Sequence, residues 1–265
     1  DECVAAEKKR RNKDDQLPGE VSMAIKLNPK SNKPFAVNAE LDAGADSKKL
    51  NGDLNAQGFH TIYMIDPGVK AEPGYSIFDQ VMSNKFGVQT ATGETYKGAV
   101  WPGQCVFPDY TRPEVRTWWA GLFKEFMANG IDGVWNDMNE PAVFNVPTKT
   151  MPEDNLHRAD AELGGPGPHA RYHNVYGMQM IRATRAGIAA ARPDRRPFVL
   201  SRANFLGGQR YGATWTGDNT ANWEQLGWSV PMALNLGLSG QPFTGPDIGG
   251  FAGLGLPLRE VVLVH

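Results

Sequence analysis

The segment Ile131–Phe144, IDGVWNDMNEPAVF, places two carboxylates, Asp137 and Glu140, directly behind a short apolar run and beside Trp135. Asn, Asp and Pro also build ordinary turns, but a turn needs neither a tryptophan nor paired carboxylates. Clustered acids in unlike environments are the raw material of acid–base chemistry. A further acid, Asp218, stands in WTGDN behind another short run. Asp137 and Asp218 leave different strands, so they can face each other across a pocket. Cleavage of a glycosidic bond needs such a pair: one acid protonates the leaving oxygen and one carboxylate acts at the anomeric carbon. A retaining enzyme holds the two about 5–5.5 Å apart. Two carboxylates that close do not both ionise readily, which leaves one of them as the acid. Arg202, at another strand exit, is suited to hold the nucleophile ionised and to bond a sugar hydroxyl, or simply to fix geometry through an ion pair. Trp101, in WPG, sets an aromatic on a stiff turn that either takes the C–H face of a sugar or roofs a small core.

These residues need elements to carry them. Ser47 to Gln57 reads as a helix closed by Gly58, and Phe59–Ile65 as a strand whose exit carries Asp66. Asp66 suits a turn cap and a substrate contact equally. Residues 69–110 read as a long loop rich in Gly, Pro and aromatics, of the kind that is usually functional. Arg112–Asn129 has helical spacing, with Trp118 and Trp119 on its apolar side. The Ile131 strand follows, then a Pro-rich loop over 145–170, a helix over Arg171–Ala191 and a strand over Pro197–Ser201 that exits at Arg202. A strand over Ala213–Thr216, a helix over Asn222–Asn235 and a strand over Gln241–Thr244 complete the pattern, with Asp247 at the last exit. Strand, polar exit and helix in repetition predict right-handed βα units on a parallel sheet. Parallel strands would gather Asp66, Asp137, Arg202, Asp218 and Asp247 at one face, as in a (β/α)8 barrel, whose chemistry sits at the C-terminal ends of its strands.

The 265 residues suffice for one large α/β domain. A net charge of -2 gives no electrostatic case for nucleic acid or an anionic membrane, and no apolar run approaches the length of a membrane span. Two cysteines, Cys3 and Cys105, make no disulfide framework and point to a reduced, cytoplasmic setting. The chain opens on Asp1 with no signal-peptide pattern, which suggests a processed product or a fragment. Residues 1–45 hold one aromatic, Phe35, and an interleaved charge cluster around Glu7–Arg11, the signature of a disordered or loosely packed arm. Residues 46–265 then read as a partial catalytic (β/α) barrel. His169 and His173 in HARYH have the i, i+4 spacing of two metal ligands, but no cysteine or HExxH context supports zinc, and such pairs more often cap or pack a helix start. No metal and no cofactor is expected, and GPDIGGFAGLG is no dinucleotide loop.

The motifs VWPGQCVFPDY, WNDMNEP, HNVYG, RANFLGGQRY, WTGDN and LSGQPFTGPDIGGF, in that order between about Ser47 and Phe251, resemble those of the family 31 glycoside hydrolases, the retaining α-glucosidase family. The resemblance implies a (β/α)8 barrel carrying β-sandwich domains, no cofactor, and an oligosaccharide or α-glucoside substrate. It implies Asp137 as nucleophile, with Glu140 assisting from the same loop, and Asp218 as acid/base. Arg202 would bind sugar and nucleophile. Trp101, Trp135, Trp215 and Met138 would wall the pocket, with Asp247 and Phe251 lining it and Asp66 available to substrate.

The departures from the pattern are specific. Residues 1–45 lack the aspartate-bearing strand motif that grips the non-reducing sugar. The tail AGLGLPLREVVLVH lacks the Arg-Asn-His motif, so His265 is not equated with its histidine. These residues show no sandwich-domain pattern, and the reading yields about five of eight barrel strands. The expected activity is hydrolysis of terminal α-linked glucose by double displacement. An α-xylosidase, a transglycosidase, an α-glucan lyase and an inactive carbohydrate-binding remnant are the alternatives.

Overall fold

A computed structural model describes residues 21–27, 34–40, 47–247 and 250–251, the first two segments by backbone alone. Its main sheet contains β1 (Val21–Leu27), β2 (Pro34–Glu40), β3 (Phe59–Ile65), β7 (Gly133–Asn136), β10 (Phe198–Ser201), β11 (Ala213–Trp215) and β12 (Thr244–Gly245). The spatial order is β12-β11-β10-β7-β3-β1-β2. Strands β3, β7, β10, β11 and β12 are parallel, and each is added on the same side of the one before. A doubly wound fold would reverse direction after its first strands; steady progression is the winding of a barrel. The structure therefore gives a five-stranded portion of a (β/α) barrel. Within the segment expected to be a loose arm, β1 and β2 pair antiparallel with each other, and β1 pairs antiparallel with β3. The rest of residues 1–46 lies outside the described residues.

The helices form the outer layer. They are α1 (Ser47–Ala56), α2 (Ser76–Ser83), α3 (Pro113–Met127), α4 (His169–Ala191) and α5 (Trp223–Leu238). Trp119, Phe123 and Met127 of α3 pack with Tyr176, Met180 and Ile181 of α4 over Val134 and Val199 of the sheet. This is the apolar stripe facing inward, as helical spacing requires. Trp119 is buried and its indole donates to Thr184 Oγ1 at 3.0 Å, while Trp118 is only partly buried. The helix pair is close because Gly187 has no side chain: a Cβ there would lie 2.5 Å from the carbonyl oxygen of Ala120.

Two regions read as loops carry structure of their own. Residues 69–110 contain α2 and a three-stranded sheet of β4 (Val69–Lys70), β5 (Lys97–Val100) and β6 (Gly103–Val106). The segment 145–170 contains the short pair β8 (Leu156–His157) and β9 (Gly167–Pro168). These strands are two to four residues long, too short for an alternating pattern to declare itself. Among the described residues no helix is long and apolar enough to cross a membrane.

Candidate active site

Register explains how the exits meet. Ile65 pairs with Asn136, and Asn136 pairs with Ser201. The next residue in each strand is therefore Asp66, Asp137 and Arg202, side by side at the C-terminal edge. Ser201 also pairs with Thr214, which aligns Trp215 with Arg202, and Trp215 pairs with Gly245, two residues before Asp247. Side chains alternate along a strand, so Trp135 and Asp137 share a face, as do Gly245 and Asp247. The Trp135 and Trp215 rings meet edge to face with centroids 4.9 Å apart.

Arg202 is the hub. Its Nε and Nη2 donate to the two carboxylate oxygens of Glu140 at 2.8 and 3.0 Å. The same Nε lies 3.3 Å from Asp137 Oδ1, and Nη1 lies 3.7 Å from Asp218 Oδ2. The guanidinium also reaches Met138 Sδ at 3.3 Å. Glu140, Arg202 and Asp218 line a cleft of about 430 Å³ together with Ala142, Lys149, Thr150 and His173. Met138 is buried and adopts a left-handed backbone, φ 53°. That conformation is costly for a residue with a Cβ and collects at functional sites. It turns the chain directly after Asp137.

Burial dominates the electrostatics. It lifts Asp66 from 3.8 to about 7, with Asp137 and Glu140 adding to the rise and Arg202 opposing it. It lifts Asp247 to about 6, with Asp218 and Asp137 adding and the Trp215 indole opposing. Asp137 is raised too, although Arg202 and the Met138 N–H pull it down. The guanidinium of Arg202 is held charged: burial disfavours the cation, but Glu140 foremost, then Asp137 and Asp218, outweigh it. Asp66 Oδ1 and Trp135 Nε1 are buried with no hydrogen-bond partner among the described residues. Buried polar atoms left open call for an explanation, and a hydroxyl-rich ligand supplies one.

Asp66, Trp135, Asp137, Met138, Glu140, Arg202, Trp215, Asp218 and Asp247 thus gather at one edge of the sheet. Trp101 is 74% exposed, with its ring edge to face on Phe144 at 4.8 Å. Phe251 is 65% exposed, and its N–H donates to Asn219 O at 2.8 Å. Two supporting residues escaped the sequence reading. Buried Asn139 donates to Ser201 Oγ at 2.8 Å and accepts from the Ala203 N–H at 3.0 Å, locking the β7 exit to the β10 exit. Gly177 of α4 lets the helix abut both exits, since a Cβ there would lie 2.7 Å from Asn139 O and 2.9 Å from Ala203 Cβ. Asn139 lay in the acidic segment, but only tertiary contact reveals its partners. His169 and His173 hydrogen-bond to each other, Nε2 to Nδ1 at 3.1 Å, and among the described residues no group of three or more potential ligands is arranged to hold a metal.

Comparison with known proteins supplies the family. Residues 24–261 match the model of the glycosyl hydrolases family 31 TIM-barrel domain. The chain is 47% identical over 205 residues to "Alpha-glucosidase 2" of Bacillus thermoamyloliquefaciens, covering 77% of this chain and 26% of that protein. A crystal structure of a family 31 alpha-glucosidase from Bacteroides thetaiotaomicron superposes with a TM-score of 0.67 at 52% identity, over 79% of this chain and 33% of that one. The glucosidase II alpha subunit, in an alpha3-Glc2-bound crystal structure, gives a TM-score of 0.72 at 42% identity over 78% of this chain and 22% of that one. The chain spans about a quarter of the length of the first of these relatives.

Proposed function

Because the chain belongs to glycosyl hydrolase family 31, we propose that it cleaves terminal α-linked glucose from oligosaccharides with retention of configuration. Asp137 attacks the anomeric carbon as Asp218 protonates the departing glycosidic oxygen. The bond between carbon and leaving oxygen breaks, and a covalent glucosyl–Asp137 ester remains. Asp218, now a carboxylate, takes a proton from water, which attacks the same carbon and frees glucose and Asp137. Arg202, clamped by both oxygens of Glu140, lies against Asp137 and favours its ionised form. Asp66 and Asp247 bind sugar hydroxyls, and Trp135, Trp215 and Met138 form an apolar wall, with Trp101 and Phe251 further out.

The observation that carries this reading is the convergence of Asp137, Glu140 and Asp218 on one guanidinium at the C-terminal strand edge. Incubation with an aryl α-glucoside, whose leaving group carries no anomeric carbon, followed by proton NMR of the released glucose, tests it. The reading expects glucose released first as the α anomer. Initial release of the β anomer contradicts the double displacement. Turnover of an α-xyloside in preference to maltose assigns the pocket to a different sugar, and sugar binding without turnover reduces the chain to a carbohydrate-binding role.

A further inference from the structure

Behind the cleft runs a hydrogen-bonded chain that the mechanism above does not use. Asp109, His157 and His169 are all at most 1% exposed. His157 Nδ1 bonds Asp109 Oδ1 at 2.7 Å, and His157 Nε2 bonds His169 Nδ1 at 2.9 Å. His169 Nε2 bonds His173 Nδ1 at 3.1 Å, and His173 lines the cleft with Arg202 and Asp218. Asp109 Oδ1 also accepts from Thr111 Oγ1 at 2.5 Å, and Oδ2 from the Arg158 N–H at 2.8 Å. Against the upward push of burial, these bonds and His157 hold the Asp109 carboxyl below its usual range. Burial, foremost, pushes His169 down to about 3, so it is a neutral ring with a single N–H.

A neutral imidazole has one donor and one acceptor nitrogen. An ionised Asp109 only accepts, so His157 donates from Nδ1. With that ring neutral, its Nε2 accepts from His169 Nδ1–H, and His169 Nε2 in turn accepts from His173 Nδ1–H. This leaves His173 Nε2 as an acceptor, with no partner among the described residues. The other acids of the cleft are committed: Glu140 to Arg202 by two bonds, and Asp218 to the cleaved bond. The cleft that His173 lines with Lys149 and Thr150 includes Asp218 and none of Asp66, Trp135 and Asp137. With Asp218 as the acid at the departing oxygen, this becomes the side on which the leaving group leaves. We propose that His173 determines specificity by presenting Nε2 as an acceptor to a hydroxyl of the sugar beyond the cleaved bond, and that Asp109, His157 and His169 are positioning residues that set this polarity. The sugar's placement rests on the reading of Asp218 as the acid.

Long-range proton–nitrogen NMR of the 15N-histidine-labelled chain at pH 8 tests it, with Asp109→Asn and His173→Asn as variants. His173→Asn identifies the resonance by its loss. The expected wild-type His173 Nε2 signal is of the unprotonated type. It should move on adding thiomaltose, a sulfur-linked disaccharide that resists cleavage, and stay still with methyl α-glucoside. In Asp109→Asn the Arg158 N–H must still meet an oxygen, so the new side chain would turn its amide nitrogen toward His157 Nδ1. The chain then reverses, and Nε2 of His173 becomes protonated. A protonated Nε2 in the wild type, which an imidazolium at His157 would impose, overturns the proposal. An equal response to both sugars, no response to either, or an unchanged tautomer in Asp109→Asn also overturns it. If Asp109→Asn does not fold, the wild-type tautomer and the sugar responses still decide. Maltose left intact while the thiomaltose response is present defeats the hydrolase reading and leaves the sugar contact standing.

Discussion

Asp66 should cost the folded chain stability at neutral pH, and replacing it with Asn should return much of that cost. Its carboxyl is raised from 3.8 to about 7, chiefly by burial. Between those values the unfolded chain releases the proton while the folded chain keeps it. The folded state therefore binds more protons, and stability falls as pH rises through this window. About three pH units at about 1.4 kcal/mol each give a penalty of about 4 kcal/mol once the pH exceeds 7. Asp66→Asn removes the titration but places an amide where Oδ1 finds no partner, at a cost of about 1–3 kcal/mol. The fixed cost does not vary with pH, so the diagnostic quantity is the slope. Urea unfolding of both chains at intervals from about pH 4 to about pH 8 should show the variant gaining about 4 kcal/mol relative to wild type across the range. Glucose release should fall together with the lost sugar contact. A stability difference that stays flat with pH would refute the reasoning, because it would mean that Asp66 ionises in the folded chain as it does in water.

Further outcomes follow from the same geometry. Arg202→Lys keeps a positive charge but loses the two-point clamp on Glu140. Stability measured by urea should fall by about 2–3 kcal/mol, and glucose release by at least about a hundredfold. Asn139→Ala removes the two bonds joining the β7 and β10 exits, at about 2–3 kcal/mol, again read by urea unfolding. Gly177→Ala and Gly187→Ala each force a Cβ into backbone, so thermal unfolding should place both about 1–3 kcal/mol below wild type. Only Gly177→Ala should also lower the activity of the remaining folded molecules, because it presses on Asn139 and Ala203 rather than on α3.

What was legible in the sequence was what repeats along the chain. Short apolar runs ending in Asp66, Asp137, Arg202, Asp218 and Asp247 announced parallel strands with polar exits, and the register places those residues at one edge. What the pattern did not carry was held by long-range partners. Strands β4, β5 and β6 are short and pair across a region that reads as loop. The pairing of β1 with β3 brings part of an aromatic-poor segment into the sheet: VSMAIKL alternates Val21, Met23, Ile25 and Leu27, a short strand period that the charge cluster at Glu7–Arg11 overshadowed in the sequence. HARYH gave the spacing of His169 and His173, but His157 joins them from 12 residues before His169, and Asp109 from a further 48 residues back. Only the structure shows that the pair belongs to a longer hydrogen-bonded chain. Tyr172 and Tyr176, near the start of α4, set their rings edge to face against His157.

The most direct test of the central claim is covalent trapping. A fluoroglycoside inactivator of α-glucosidases forms the glucosyl ester but hydrolyses it slowly, and peptide mass spectrometry then locates the sugar. The account expects one sugar per chain, on Asp137 of the peptide containing WNDMNEP. Sugar on Asp218, Glu140 or any other residue would contradict it.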